Sequence, residues 1–460
     1  MKRVPQSLDK DDLRAYVEMN GIHTFKIGAV DLDGIWRGKR VAADYFVDSV
    51  ADKGCFISNI LFAWDVLDEP IPGLEYTGSH TGYPDINFRP DMSTLALVPW
   101  EPGVASVICD VFERDGSPLD LSPRDVLRSL VQRSEALGYR PVAAYEFEFY
   151  LLKGAADDLA ARGWRELEPI SKGHHTYSIV RDSGVDFIIG DIRRQLAEYG
   201  VDIEASNGEY GPGQFEVNIH YADALSAADS AMLLKHSVKE IANRHGYTAT
   251  FIAKLNSEWS GSSGHVHLSL EDEHGEPAFA NPGNPSALSE IGLQFMAGLI
   301  ENAPDFMATY LPNMNSYKRV ARAEFSPTTM SWAVDNRFVA MRAIPSAGPA
   351  ARVENRIAGA DANPYLVIAA SLASGLSGLE NKSVPPPAAS CDGPTEAKTG
   401  TTAVTMTLAD AITQMTSSTV ARKFFGDRFV DHYAAIRRWE VEQSAAAVTD
   451  WEIARYLEPI

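Results

Sequence analysis

The stretch that decides how this chain reads is Val142-Ala-Ala-Tyr145-Glu146-Phe147-Glu148-Phe149-Tyr-Leu-Leu152. On a β-strand successive side chains point to opposite faces, so Glu146 and Glu148 share one face, about 7 Å apart, and Tyr145, Phe147 and Phe149 share the other. The aromatic face is built for burial. Two like charges on such a strand are costly unless a cation offsets them, which favours a metal site, although a solvated sheet face would carry the same alternation.

Two further segments have this construction. Glu209-Tyr-Gly-Pro-Gly-Gln214-Phe-Glu216 leads one carboxylate into a Gly/Pro turn and another into a strand whose Gln214, Glu216 and Asn218 share a face. In Gly264-His265-Val266-His267-Leu268-Ser269-Leu270 the polar His265, His267 and Ser269 alternate with apolar residues. Histidines spaced i, i+2 would equally suit a hydrogen-bonded core pair. The many carboxylates and the lack of thiol ligands point to hard divalent ions, Mg²⁺ or Mn²⁺, with His as a minor ligand. A fourth segment, Ala351-Arg352-Val353-Glu354-Asn355-Arg356-Ile357, alternates Arg, Glu and Arg on one face, with Arg319, Arg337 and Arg342 upstream. Guanidinium groups in that array bind phosphate or carboxylate oxygens beside a metal, or form an exposed salt-bridge ladder. Carboxylate strands together with arginine strands indicate phosphoryl transfer. Neither G-x-x-x-x-G-K-[ST] nor G-x-G-x-x-G occurs, so a nucleotide would be held without a P-loop or Rossmann turn.

Outward from these segments, Thr24–Leu32, Trp36–Val41, Thr94–Trp100 and Ala105–Phe112 read as strands of a small sheet domain. Ser122-Pro123 opens a helix that stops at Gly138 and begins a larger domain. There β runs (Val142–Leu152, Gln214–Ile219, Ala249–Lys254, His265–Leu270) alternate with helices near Phe187–Tyr199, Ala224–Arg244 and Ser286–Glu301. The charged residues on one face of these β runs imply an antiparallel sheet with a functional polar face. Pro385–Thr402 reads as a linker, followed by helices around Leu408–Met415, Ala421–Ala434 and Ile436–Tyr456.

The chain has 460 residues, with 41 Lys+Arg against 62 Asp+Glu for a net charge of −21. That balance disfavours nucleic-acid and anionic-membrane partners, and no apolar run approaches the ~20 residues of a spanning helix. Cys55, Cys109 and Cys391 show no paired spacing, and the N-terminus has no apolar signal region. A reducing, cytoplasmic setting is expected.

Over nearly its whole length the chain resembles the glutamine synthetase family. The matching segments are Asp31–Val41, Pro90–Thr94 with Val98–Trp100, Thr250–Lys254, Asn315-Ser-Tyr-Lys-Arg319, Asp335-Asn-Arg337 and Ala362-Asn-Pro-Tyr365. The resemblance implies an α+β fold, with a β-grasp domain over residues 1–115 and an ATP-dependent ligase domain with a curved antiparallel sheet over 116–460. Subunits would form hexameric rings, commonly stacked as dodecamers, with the N-terminal domain packing on its neighbour. By the same resemblance Glu148, Glu209 and Glu216 match the ligands of one metal, and Glu146, His265 and Glu354 those of a second that bridges the ATP phosphates. Glu204, His267, Ser269 and Arg352 fall at nucleotide positions, Arg337 and Arg342 face the transferred phosphoryl group, and Arg319, Arg356 and Gly261 fall where glutamate is held.

The departures from the family pattern concern the acceptor. The flap glutamate that helps deprotonate ammonium, six residues beyond the arginine of N-S-Y-K-R, is Phe325 here, with Glu324 beside it. Ser260 replaces the asparagine of the N-G-S-G-M-H motif, and Pro385–Thr402 holds no tyrosine of the kind that is adenylylated. The ammonium-binding aspartate has no clear equivalent around Phe62-Ala-Trp64-Asp65. These changes resemble the branch that joins glutamate to organic amines, for which Phe325 and Trp64 would supply an apolar wall. Glu324, Asp65 or a carboxylate of the first metal site would deprotonate the amine. Glutamine synthesis using Glu324 and a non-catalytic ring scaffold are the competing readings.

Overall fold

The computed structural model describes residues 9–173, 176–321, 326–389 and 402–460. Its strands in chain order are β1 Thr24–Val30, β2 Trp36–Ala42, β3 Cys55–Ser58, β4 Asp85–Pro90, β5 Ala96–Leu97, β6 Val104–Phe112, β7 Tyr139–Lys153, β8 Ile203–Gly208, β9 Gln214–Ile219, β10 Ala222–Asp223, β11 Tyr247–Thr250, β12 Gly264–Asp272, β13 Trp332–Val334, β14 Met341–Ile344 and β15 Arg352–Asn355. They form two sheets. The first, of six strands, runs β2-β1-β6-β4-β3 with β5 on β6; the second, of nine, runs β13-β14-β15-β12-β7-β9-β8 with β10 and β11 on β7. The large sheet is antiparallel as expected, except for the parallel edge pair β13–β14.

β7 is its axis because its two faces differ as the sequence requires. Tyr145, Phe147 and Phe149 are buried, the first two stacked at 4.7 Å between ring centroids. Their face packs on the helix Ala224–Arg244, whose Lys235 ammonium lies 5.6 Å from the Phe147 ring. That leaves Glu146 and Glu148 on the opposite face.

Several expected elements shift. Thr94–Trp100 is a short 3₁₀ turn and a two-residue strand rather than one long strand, because the Asp91 carboxylate accepts the Ser93 amide and turns the chain. The helix expected from Ser286 starts at Glu290, where the Ser289 hydroxyl caps the Gly292 amide. The two final helices are divided differently: Asp427–Ala446 is continuous, and the break falls at Gly426, whose φ of +83° favours glycine. β3, β4, β8 and the helix Pro364–Asn381 were not anticipated.

The two sheets are locked together by buried ions. Arg124, at the start of the helix Pro123–Ala136, binds Asp91 and Asp110 beside the first sheet and Asp229 on Ala224–Arg244. Lys26 of β1 bridges Glu101 and Glu240. Arg437, fully buried, reaches Asp33 in the turn after β1. Cys55 and Cys109 are buried free thiols. Among the described residues no helix is long and apolar enough to cross a membrane.

Candidate active site

Strand register assembles the site. Glu146 lies opposite His265 on β12 and Asn218 on β9, and Glu148 lies opposite Glu216. His267 lies opposite Glu354 on β15, which in turn lies opposite Arg342 on β14. Residues directly opposite across a ladder point to one face. One sheet face therefore collects four glutamates, two histidines and an arginine from five strands.

Ligand atoms of Glu146, Glu216 and His265 lie within 4.8 Å of one another, as do those of Glu146, His267 and Glu354. His265 Nδ1 is 3.6 Å from both Glu146 Oε2 and Glu354 Oε1, but the trio expected for the second metal is divided between these two clusters, His265 falling in the first and Glu354 in the second. The other trio is looser. Glu216 leans toward Glu146 and His265, while Glu148 is held by Ser263 and Gln214, and Glu209 by the Asn207 side chain and the Tyr210 amide.

The electrostatics divide the face in two. Burial, then repulsion from Glu209, pushes Glu148 up to about 7. Burial and the neighbouring Glu146, Glu148 and Glu209 push Glu216 up to about 8. On the other side burial would also raise Glu354, but His265 and Arg356 hold it at about 2. Burial would also raise Glu146, which is half-buried, but its contacts with His265 and His267 keep it far below the usual carboxylate range. Glu148, Glu209 and Glu216 crowd one another and so hold protons more tightly than free carboxylates do; a divalent cation beside them would relieve that repulsion, and their oxygen donors suit Mg²⁺ or Mn²⁺.

Beside these carboxylates opens a cleft of about 540 Å³ lined by Glu146, Glu216, Glu204, His267, Ser269 and Arg352. All four residues expected at the nucleotide line it. Arg352 Nε donates to His267 Nδ1 at 3.1 Å, and the Ser269 hydroxyl donates to the Ala351 carbonyl at 2.8 Å, which fixes the approach to β15. Glu204 sits at the bulge of β8 with its side chain exposed. Asn207, Asn218 and Tyr221 also line the cleft; Asn218 was legible as a face-mate of Glu216, whereas nothing local singles out Tyr221.

The expected glutamate residues lie at the other end. Arg319 is buried, with Nη2 donating to the Ile357 carbonyl and Nη1 to Ser326 at 3.3 Å. Its Nε and that of Arg356 are buried without a hydrogen-bond partner, the kind of unmet donor that a carboxylate substrate satisfies. A Cβ on Gly261 would stand 2.3 Å from Arg319 Cγ, so glycine is what lets the loop approach the guanidinium stem. Arg356 and Arg342 both grip Glu354, and Arg342 also binds Asp335. Arg337 is exposed beside them.

Glu324 and Phe325 lie outside the described residues. Trp64 packs under Arg37, whose guanidinium is 5.0 Å from the ring centroid. Asp65 is occupied structurally: Oδ1 accepts the Leu67 and Glu69 amides and Oδ2 accepts from Trp439 Nε1. Although burial opposes it, these hydrogen bonds hold its pKa below the usual carboxylate value, which makes it a weaker base. Tyr177, missed in the sequence, is an exposed aromatic at φ +57° that feels the charges of Glu209, Glu216 and Arg337.

Residues 120–456 match the family model described as glutamine synthetase, catalytic domain. A glutamate–isopropylamine ligase from a Pseudomonas species is 51% identical over 97% of this chain and 98% of its own length. A gamma-glutamylethanolamide synthetase from Streptomyces coelicolor is 36% identical over 98% of this chain and 96% of its own. The solved structure of GmaS in complex with ADP superposes with a TM-score of 0.85 at 28% identity, covering 97% of this chain and 99% of that one. Fold and site thus define an ATP-dependent carbon–nitrogen ligase that uses divalent metal ions. The chain belongs to the glutamine synthetase family.

Proposed function

We propose that the protein joins the γ-carboxylate of L-glutamate to a primary organic amine at the expense of ATP. The observation that carries this reading is the 51% identity, over 97% of the chain, to a ligase named for glutamate and isopropylamine. Phe325, where the family pattern has its ammonium-handling glutamate, supports it. A carboxylate oxygen of glutamate attacks the γ-phosphorus and ADP leaves. The amine nitrogen then attacks the acyl carbon, gives up a proton, and inorganic phosphate departs.

In this reading Arg319, Arg356 and Gly261 position glutamate, and Glu204, His267, Ser269 and Arg352 receive the nucleotide. Arg337 and Arg342 offset charge on the phosphoryl group in flight. Glu148, Glu209 and Glu216 hold one divalent ion and Glu146, His265 and Glu354 the other. When bound, such ions supply positive charge beside the phosphate oxygens. With Asp65 engaged elsewhere, Glu324 or a carboxylate of the Glu148 group takes the amine proton. Phe325 supplies apolar surface, worth ~25 cal/mol per Å² buried, that an alkyl amine fills and ammonium cannot.

The test is ADP release with glutamate and a panel of amines including isopropylamine, ethanolamine, putrescine and ammonium. The expected result is a kcat/KM for the best organic amine more than tenfold above that for ammonium. Ammonium matching or exceeding every primary amine would return the protein to glutamine synthesis, and no turnover with any acceptor would favour the scaffold. We also infer a domain division near residue 115, assembly as hexameric rings or dodecamers, and a cytoplasmic location, each supported by the family relationship.

A further inference from the structure

We propose that Ser263 is a positioning residue that clamps Glu148 in the one orientation in which it serves as a metal ligand. The inference rests on the reading above, in which Glu148 holds a divalent ion. The Ser263 hydroxyl donates to Glu148 Oε1 at 2.9 Å, and the Ser263 amide donates to Oε2 at 2.9 Å. In return the Glu148 amide donates to the Ser263 carbonyl at 3.0 Å, so the two residues are tied at both backbone and side chain. Gln214 Nε2 adds a third donor to Oε2 at 3.2 Å, and Gln214 is itself anchored by the Gly211 amide and the Gly261 carbonyl.

A carboxylate offers about four lone-pair positions. Three are taken here, which leaves Glu148 able to meet a cation in one direction only. Glu148 also faces repulsion from Glu209, and the Ser263 hydroxyl is the donor that fixes Oε1, so without it the carboxylate is held through Oε2 alone and can turn about that anchor. Ser263 is 8% exposed, too enclosed for bulk water to replace its hydroxyl. In Ser260-Gly-Ser-Ser263-Gly-His265 the serine stands at the position that is glycine in the N-G-S-G-M-H motif, which has no hydroxyl there. The same loop carries Gly261 against Arg319, so one segment fixes a metal ligand and shapes the glutamate subsite together.

Mn²⁺ binding to the metal-stripped full-length enzyme, followed by electron paramagnetic resonance of the free ion, reads this directly and without turnover. Ser263→Ala is expected to weaken one class of Mn²⁺ site by tenfold or more, within the 10–100-fold range typical of groups that orient metal ligands, while the other class holds. Ser263→Thr, which keeps the hydroxyl, is expected to bind like the parent. Thermal melting of the same samples shows whether each variant is folded. Ser263→Ala binding both classes within twofold of the parent overturns the proposal, as does a folded Ser263→Thr that loses affinity as fully as Ser263→Ala. A parent enzyme that binds no Mn²⁺ overturns instead the metal assignment on which the proposal rests.

Discussion

Glu354 is wholly excluded from solvent yet ionised, because Arg342, Arg356 and His265 surround it. Replacing it with Ala removes the carboxylate that pairs with Arg342 and the buried Arg356, and breaking a buried pair costs about 3–5 kcal/mol. Glu354→Ala is therefore expected to lower the denaturation midpoint as well as abolish ADP release, and residual activity within tenfold of the parent would refute its assignment. Glu148 and Glu216 behave oppositely. Both hold protons more tightly folded than unfolded, with values of about 7 and about 8 against an ordinary 4.5. Their contribution to stability is full below that ordinary value and is lost as pH rises through 7 and 8. The metal-stripped protein is expected to melt at progressively lower temperature over that window. Mg²⁺, which favours the ionised carboxylates, is expected to raise the melting temperature more at pH 8.5 than at pH 6. A Mg²⁺ effect independent of pH would contradict this.

The helix Pro364–Asn381 shows why some elements were illegible. Its residues from Pro364 to Gly378 are all buried, so it lacks the polar stripe that gives a surface helix its 3.6-residue period. Its packing against Glu290–Asn302 depends on backbone contact: a Cβ on Gly298 would stand 2.2 Å from the Ser374 carbonyl oxygen, and one on Gly378 2.2 Å from that of Gln294. Gly298→Ala is expected to destabilise by about 1–3 kcal/mol through overpacking, read as a lower urea midpoint, with no change in Mn²⁺ affinity. β7, Gln214–Ile219 and Ala224–Arg244 were legible because each shows one clean period. β8 was not, because its bulge and its exposed Glu204 and Ala205 break the alternation.

At the scale of the whole molecule, Arg124, Lys26 and Arg437 weld the first sheet to the large one within a single chain, and the short loop over residues 66–70 faces outward, with Leu67 80% exposed and Val66 43% exposed. Exposed apolar side chains on a loop of a chain with net charge −21 accord with a neighbouring subunit covering them. Light scattering at micromolar protein is expected to give a mass at or above six chains. A monomer with full activity would rule out the ring.

The sequence by itself determined which side chains share faces: period-two alternation puts Glu146 with Glu148, His265 with His267, and Arg352 with Glu354 and Arg356, since that follows from strand geometry alone. It also shows Phe325 where the family pattern has its flap glutamate. Only the tertiary structure decided how those strands register, and hence that Glu354 meets His267 and Arg342 and that Glu148 is held by Ser263. The same holds for the hydrogen bonding of Asp65, since Trp439, one of its partners, lies 374 residues away. Registers and contacts of that span are fixed by packing of the whole core, which no local pattern encodes.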